Sequence, residues 1–245
     1  MGHFYKKEDS GEVIPCHFTS YAKPRYENGK ETLRASTVGD LRKWLKNGEK
    51  AAPSVTTILD VLDKPALMNW KVDRHLQAAY EHVINTSFAN ALDSFIKESK
   101  LQAELQMDQA PQAGTDFHKL MEDYIKDEMY QGHKDYGLCS SVADLIREET
   151  KTDEWDWQPE VNIFSDLGYA GQADLIIHGN ETWIIDYKTK EFANKFKPKR
   201  MAYDNHAQQL AAYGNEINPN FRAANIFVCL ETGELDWHEW KKVGS

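Results

Sequence analysis

The residues best suited to chemistry lie between positions 171 and 190, where acidic side chains and a lysine border apolar stretches. Asp174 stands at the start of one apolar run, and a second run, after a Gly-Asn turn, ends in Asp186, Tyr187 and Lys188. Carboxylate oxygens suit Mg²⁺ and Mn²⁺, and one or two carboxylates per ion suffice because water and substrate complete the shell. Two carboxylates and an ammonium at one end of a hairpin would therefore hold a divalent metal beside a cleavable phosphodiester.

Each of these residues has an expected role. Asp174 and Asp186 would bind the metal, and the backbone carbonyl of Tyr187 would be a further ligand. Lys188 would lie on the same face of the strand as Asp186, because alternate residues of a strand point to one side, and its ammonium would assist the attacking water. The alternative is that Asp174 caps a turn while Asp186 and Lys188 form a surface ion pair. The apolar residues between the charged positions favour the functional interpretation.

The elements that must position these residues follow from the change in apolar periodicity along the chain. Apolar residues at three- and four-residue spacing predict helices first, and alternation predicts strands after Trp155. Glu160, on the first of these strands, either joins the acidic site or is a surface carboxylate of an edge strand. The expected helices are 38–46, one beginning at 53–57, one from Pro65 towards Val83, 88–105, 113–130, 142–149 and 200–216, with Pro111 breaking the chain. The expected strands are 160–164, 169–177, 182–187, 223–230 and 235–241.

This order predicts an α/β (α+β) fold with a mixed central sheet flanked by helices. Residues 1–52 are expected to be an irregular wrapping segment, apart from the helix anchored by Trp44. Residues 53–245 are expected to form one domain, with a helical part over 53–152 and a sheet-bearing catalytic core over 153–245.

Composition limits the classes of protein to consider. A hydrophobic content of 41% and a charged content of 28% are typical of a folded globular protein and argue against long disorder. The scattered cysteines, Cys16, Cys139 and Cys229, lack the spacing of zinc sites or of a disulfide framework. The N-terminus has no apolar signal region, and no apolar run approaches the roughly 20 residues that span a bilayer. We therefore expect a cytoplasmic protein without a membrane partner.

The charge distribution predicts a local basic track rather than a basic surface. A net charge of −10 disfavours indiscriminate coating of duplex DNA, which requires many Lys and Arg residues. Basic residues nevertheless cluster directly after the candidate metal site, and a solvated loop is the alternative interpretation. The residues expected to face a DNA substrate are Lys190, Lys195, Lys197, Lys199 and Arg200, next to Lys188.

The spacing of these motifs resembles a known family. Asp174 followed by Asp186-Tyr187-Lys188 is similar to the signature of PD-(D/E)XK nucleases, although Ala173 stands where the name of that superfamily implies proline. Two further motifs are similar to those of the RecB-like exonuclease branch, which includes phage and mitochondrial genome maintenance exonucleases. They are Gly114-Thr115-Asp116-Phe117-His118 followed by Glu122, and Gln209-Leu210-Ala211-Ala212-Tyr213. The resemblance covers residues 53–217.

The resemblance implies a restriction-endonuclease-like core with an N-terminal helical lobe, and it assigns further roles. His118 would be a metal ligand, and Glu122 would take part directly or support that ligand. Gln209 and Tyr213, four apart on one helix face, would contact the DNA phosphate and the catalytic lysine. Residues 53–57 are similar to an N-terminal element of the same group, which implies DNA contacts from Ser54 and Thr56, although ordinary N-capping explains these two residues equally well.

The resemblance also predicts the cofactors and the activity. One or two Mg²⁺ or Mn²⁺ ions are expected. No iron–sulfur cluster is expected, because the required four cysteines are absent, and no P-loop motor sequence is found. The expected function is a metal-dependent exonuclease acting on single-stranded DNA ends in replication, recombination or repair, together with a replication or recombination partner protein. The alternatives are a structure-selective flap or branch endonuclease, and a DNA-end-binding recombination module with a vestigial nuclease site.

Overall fold

The structure is a computed structural model that describes residues 3–16, 24–27, 30–33, 37–60, 71–72, 74–76, 78–80, 92–152, 156–190 and 201–241. Backbone contacts divide the chain into two compact units. One unit comprises Met1–Val61 and Leu120–Ser245, and the other comprises Leu62–Lys119. The predicted boundary at residue 52 remains a prediction.

In the second half of the chain the elements follow the order that the sequence pattern predicts, which is a helix, three strands, a helix and two strands. The helices are α1 (Val38–Lys46), α2 (Val55–Leu59), α3 (Leu92–Ile125), α4 (Tyr136–Thr150) and α5 (Asp204–Ile217). The strands are β1 (Phe4–Lys7), β2 (Val13–Pro15), β3 (Pro24–Glu27), β4 (Lys30–Leu33), β5 (Lys50–Pro53), β6 (Trp157–Phe164), β7 (Ala170–His178), β8 (Thr182–Thr189), β9 (Arg222–Val228) and β10 (Leu235–Trp240).

The central sheet has the strand order β10-β9-β8-β7-β6. β8 and β9 run parallel, and the other neighbouring strands run antiparallel. A mixed sheet of this kind requires a crossover between its parallel strands, and α5 supplies it between β8 and β9. The predicted α/β (α+β) fold with a mixed central sheet flanked by helices is therefore confirmed.

α5 covers one face of this sheet. Leu210 and Tyr213 of the helix belong to one buried cluster with Ile176 of β7, Ile184 of β8 and Ala223 of β9. Because side chains alternate between the two faces of a strand, residues two positions along from these strand residues lie on the same face. Asp174 and Asp186 are such residues, so the candidate catalytic carboxylates lie on the face that α5 covers.

The N-terminal region differs from the irregular segment that the sequence predicts. Within the described residues, β1 pairs antiparallel with β2 and with β5, and β3 pairs with β4. These strands are three or four residues long, which is too short for an alternating pattern to be recognised in the sequence. The predicted helix over Val38–Lys46 is confirmed. Its Thr37 side chain accepts a hydrogen bond from the Asp40 N–H, and Trp44 is buried.

The prediction that Pro111 breaks the chain is wrong, because α3 continues from Leu92 to Ile125. A proline removes one backbone hydrogen bond and adds one clash, and helix-favouring residues on both sides sustain the helix. The contact-based boundary between the two units falls within this helix. A helix is also predicted from Pro65 towards Val83, and the residues described within that range are helical; they are 71–72, 74–76 and 78–80. The two predicted ends, Pro65 and Val83, lie outside the described residues.

Two further properties concern the whole of the described chain. None of the helices in it combines the length and apolar character needed to cross a lipid bilayer. Each of the three cysteines is buried.

Candidate functional site

A fork in the central sheet positions the candidate carboxylates. The antiparallel pairing of β7 with β8 runs from His178 opposite Thr182 to Leu175 opposite Ile185, and it ends there. The next residues in the same register are Asp174 and Asp186. Beyond them β7 remains paired with β6, whereas β8 remains paired with β9. The two aspartates therefore face each other where the sheet divides into two arms.

The carboxylate of Asp174 occupies the point where the ladder stops. Its Oδ2 accepts a hydrogen bond of 2.8 Å from the backbone N–H of Tyr187. Asp174 is buried, and a buried carboxylate requires such donors to offset the loss of water. The side chain of Tyr187 is buried as well, and burial, followed by the charge of Asp174, raises its pKa well above the usual value. Because the ladder ends here, the backbone N–H of Tyr187 binds and orients the carboxylate of Asp174.

Glu160 extends this arrangement to a third strand. It stands opposite Asp174 in the register of β6 and β7, between the pairs Pro159 with Leu175 and Val161 with Ala173. Its φ angle is +53°, a left-handed conformation that costs a residue with a Cβ roughly 1–2 kcal/mol. In the described chain, the other non-glycine residues with positive φ are Asp127, just beyond α3, and Lys151, which caps α4. Glu160 alone of these lies inside a strand, next to the candidate site.

Asp186 and Lys188 form an ion pair on β8. The Lys188 Nζ donates to Asp186 Oδ1 at 2.6 Å and lies 2.5 Å from Oδ2. Burial lowers the pKa of Lys188, but attraction to Asp186 and then to Asp174 outweighs it, so the pKa is raised above its usual value. Lys188 is therefore a protonated cation at neutral pH, paired with Asp186 and attracted by the charge of Asp174. The shared strand face predicted for Asp186 and Lys188 is observed.

A group with metal-ligating atoms includes some of the predicted ligands. His118, Glu160 and Asp174 each offer a ligand atom, and these atoms all lie within 4.8 Å of one another. An imidazole with two carboxylates suits Mn²⁺, which accepts both nitrogen and oxygen donors, better than Mg²⁺, which prefers oxygen alone. The donor set therefore fits a divalent metal and adds Glu160 to the predicted ligands, while the predicted role of Asp186 stays a prediction.

Glu122, one turn after His118 on α3, makes a different contact. Its Oε1 accepts a hydrogen bond of 2.5 Å from Lys126 Nζ, and it is not part of the group with ligand atoms within 4.8 Å. In this arrangement Glu122 pairs with a lysine four residues later on its own helix. Its predicted role at the metal stays a prediction.

Gln209 and Tyr213 lie together on α5, as their spacing predicts. The Gln209 side chain forms a hydrogen bond with Tyr213, whose pKa is raised chiefly by burial and next by the charge of Asp174. The ring of Tyr213 rests on Gly171 of β7. A Cβ at position 171 would lie 2.5 Å from the Tyr213 Cε1 and 2.6 Å from its hydroxyl oxygen. The glycine therefore permits the close approach that brings this tyrosine to the candidate site.

Lys190 contacts its own chain in this structure, and its predicted contact with DNA stays a prediction. Its Nζ donates to the backbone oxygen of Met201 at 2.8 Å and lies 4.5 Å from the ring centroid of Tyr203 and 5.3 Å from that of Phe227. Burial and then the charge of Lys188 lower its pKa to about 8. In this position Lys190 joins the two ends of the segment 191–200. The other predicted DNA-facing residues, Lys195, Lys197, Lys199 and Arg200, lie outside the described residues.

Ser54 and Thr56 differ in exposure. Ser54 is buried and is the N-cap residue of α2. Its hydroxyl accepts a hydrogen bond of 3.0 Å from the backbone N–H of Thr57. Its hydroxyl also lies 2.9 Å from that of Thr56, whose side chain is exposed. The capping alternative therefore accounts for Ser54. A DNA contact from Thr56 stays a prediction.

Sequence reasoning missed residues that lie beside the site. Asn225 is buried on β9 and donates to Asp186 Oδ2 at 2.6 Å. In the sequence, Asn225 is a single amide within the apolar run of β9. A buried amide needs hydrogen-bond partners, so this position could have indicated a polar neighbour. Tyr5 of β1 is also buried, and burial and then the charge of Glu160 raise its pKa to about 12. Nothing in the local sequence around Tyr5 indicated this neighbour.

The comparisons with known proteins contribute little. No protein-family model matches the sequence, and no curated protein matches it. A solved structure described as "Crystal structure of SSO0001" is similar over 69% of this chain and 76% of that chain, at 16% sequence identity and a TM-score of 0.31. A TM-score this low carries no information on function, so the site itself has to supply it.

Proposed function

We propose that this protein is a divalent-metal-dependent deoxyribonuclease that acts as an exonuclease on single-stranded DNA ends. One observation carries the proposal: acidic residues from three adjacent strands, Glu160, Asp174 and Asp186, meet in register at the fork of the sheet. His118 adds a nitrogen ligand to this row, and Lys188 adds a cation. Carboxylates, an imidazole and a lysine are the groups that metal-assisted phosphodiester hydrolysis requires.

The proposed metal site comprises His118, Glu160 and Asp174, with Asp186 directly across the fork. A bound Mg²⁺ or Mn²⁺ would polarise the phosphoryl oxygen and lower the pKa of a water molecule. The donor set favours Mn²⁺ over Mg²⁺, because one ligand is an imidazole. The hydrogen bond from the Tyr187 N–H to one oxygen of the Asp174 carboxylate would orient that carboxylate for this role.

The other residues act on the DNA and on protons. Lys188, kept cationic by Asp186 and Asp174, would stabilise negative charge on the phosphate or orient the attacking water. Gln209, hydrogen-bonded to Tyr213, would position the strand. A lysine confined by its own ion pair adopts one position, and this lowers the entropy lost when the phosphate binds.

The substrate is proposed to be DNA with single-stranded ends, held by the basic residues after β8. The net charge of −10 restricts contact with an anionic polymer to a limited track. The Lys190 ammonium donates a hydrogen bond to the backbone oxygen of Met201, so the segment 191–200 is the proposed DNA-binding track. We place this activity in the cytoplasm, in replication, recombination or repair.

The test is digestion of end-labelled linear and closed circular single-stranded DNA with Mn²⁺, with Mg²⁺ and with a chelator. We expect the linear strand alone to be degraded, and only with metal. Asp174→Asn should abolish the activity, and Lys188→Met should reduce it by about 10²–10⁴-fold. The matched controls are Asp166→Asn and Lys134→Met, since both side chains are exposed and neither belongs to the proposed site.

Each other outcome has a distinct meaning. Cleavage of closed circles would establish an endonuclease that acts on flaps or branches. Metal-independent binding to DNA ends without hydrolysis would establish a binding module with a vestigial site. Cleavage that persists in Asp174→Asn would refute the proposal.

A further inference from the structure

A chain of hydrogen bonds leads from the edge of the sheet to Asp186. Trp240 of β10 donates its indole Nε1–H to Asn225 Oδ1 at 2.7 Å. Asn225 of β9 donates its Nδ2 to Asp186 Oδ2 at 2.6 Å. Asp186 and Asn225 are direct partners in the parallel register of β8 and β9. The chain therefore crosses three neighbouring strands and ends on a residue of the proposed site.

The chemistry of the indole fixes the direction of this chain. An indole nitrogen can only donate, so the atom of Asn225 that faces Trp240 must be its carbonyl oxygen. The amide nitrogen then faces Asp186. Asn225 is fully buried between apolar residues of β9, so no water competes for its orientation. Without the indole N–H, the buried carbonyl oxygen of Asn225 loses this donor and the amide is held only by its hydrogen bond to Asp186.

We propose that Trp240 and Asn225 are positioning residues that fix the carboxylate plane of Asp186 for the metal and for Lys188. This inference rests on the proposed function. Lys188 reaches Asp186 from one side and Asn225 reaches it from the other, so both carboxylate oxygens have a donor. Neither Trp240 nor Asn225 belongs to the group that offers metal-ligating atoms. Residues of this kind orient a ligand, and their loss weakens metal binding by about 10–100-fold.

Trp237 provides a matched control on the same strand. It lies three residues before Trp240, and its indole ring stacks edge-on against Trp183 with the ring centroids 5.6 Å apart. Its Nε1–H is buried and has no hydrogen-bond partner among the described residues. Trp237→Phe therefore removes an indole that orients nothing, whereas Trp240→Phe removes the one that orients Asn225.

The experiment measures Mn²⁺ affinity by calorimetry and the kinetics of cleavage for wild type, Trp240→Phe, Asn225→Leu and Trp237→Phe. Trp240→Phe should weaken Mn²⁺ binding by about 10–100-fold and lower kcat without changing the KM for DNA. Trp237→Phe should match wild type in both. Because Asn225→Leu alters the core and could fail to fold, Trp240→Phe is the decisive variant.

The results separate this inference from the proposed function. If wild type binds Mn²⁺ and cuts DNA, and Trp240→Phe does both equally well, the positioning role is overturned while the nuclease stands. If wild type neither binds Mn²⁺ nor cuts DNA, both are overturned. An equal loss in Trp237→Phe would also overturn the inference, since it would show that any change in the aromatic packing of β10 disturbs the site.

Discussion

Replacing Glu160 with glycine tests both the strained backbone and the proposed metal ligand. Glu160 adopts a left-handed conformation, φ +53°, in the middle of β6. Glycine adopts this conformation without the clash that a Cβ makes. The substitution also removes the carboxylate that faces Asp174 across the strands. Without metal it should therefore stabilise the protein, and with metal it should remove part of the stabilisation by the ion.

The magnitude follows from the geometry. Two carboxylates with ligand atoms at most 4.8 Å apart repel by about 3.5 kcal/mol or more at an effective dielectric of about 20. Solvent at the partly exposed Glu160 and the nearby imidazole of His118 weaken this repulsion. We therefore expect Glu160→Gly to raise the free energy of unfolding by about 1–2 kcal/mol in metal-free buffer, which corresponds to about 2–8 °C in Tm. Relief of the Cβ strain, roughly 1–2 kcal/mol, is offset in part by the entropy of glycine, about 0.5–1 kcal/mol.

Thermal unfolding of wild type, Glu160→Gly and Glu160→Ala in chelator and in Mn²⁺ is the assay. Glu160→Ala removes the same carboxylate but keeps the strained Cβ, so it should be less stable than Glu160→Gly by up to about 1 kcal/mol. Mn²⁺ at about 100 times its dissociation constant should stabilise wild type by about 2.7 kcal/mol. Both variants should gain less than about 1 kcal/mol at the same concentration if their affinity falls by about 100-fold.

Two results would refute this reasoning. If Glu160→Gly is less stable than Glu160→Ala in chelator, the left-handed backbone carries no strain. If Mn²⁺ raises the Tm of Glu160→Gly as much as that of wild type, Glu160 is not a metal ligand.

Three other predictions concern packing, charge and pH. Gly171→Ala should destabilise the fold by about 1–3 kcal/mol and lower kcat, because a Cβ would overlap the Tyr213 ring; Gly137→Ala, with open space around it, should do neither in the same denaturation and cleavage assays. Lys188→Met should reduce cleavage by about 10²–10⁴-fold, whereas recovery of wild-type rates in that variant would exclude a role for the ammonium. Burial lowers the pKa of His206 from 6.5 to about 3, so between these pH values only the unfolded chain binds the proton and stability falls as the pH falls. Urea unfolding should show a loss of about 2 kcal/mol from pH 7 to pH 5, and His206→Gln should flatten that slope.

The sequence predicts the hairpin that carries the site because two strong patterns coincide there. Apolar residues fill β7 and β8, and a Gly-Asn turn separates them. The pairing of Asp186 with Lys188 follows from the two-residue period of a strand, which is a local property. Local patterns of this kind depend on few distant contacts. That is why the hairpin, the capped helix α1 and the crossover helix α5 agree with their predictions.

What the sequence does not reveal depends on contacts between distant segments. The register that sets Glu160 opposite Asp174 follows from the whole pairing of β6 with β7, and the left-handed φ of Glu160 has no local indicator such as glycine. Lys190 looks like a DNA-binding residue in a basic run. Only its contacts with Met201 and two aromatic rings, from parts of the chain that follow later, show that it is held in the fold.

The fork explains why a metal ion would matter to the fold as well as to the chemistry. Asp174 and Glu160 belong to the arm formed by β6 and β7, and Asp186 belongs to the arm formed by β8 and β9. Beyond Leu175 and Ile185 no ladder pairing joins the two arms in the described strands. The hydrogen bond from Tyr187 to Asp174 and the attraction of Lys188 to both aspartates hold them together. An ion bound by Asp174 and facing Asp186 would add a link at this point, so metal binding and the stability of the fork should rise together.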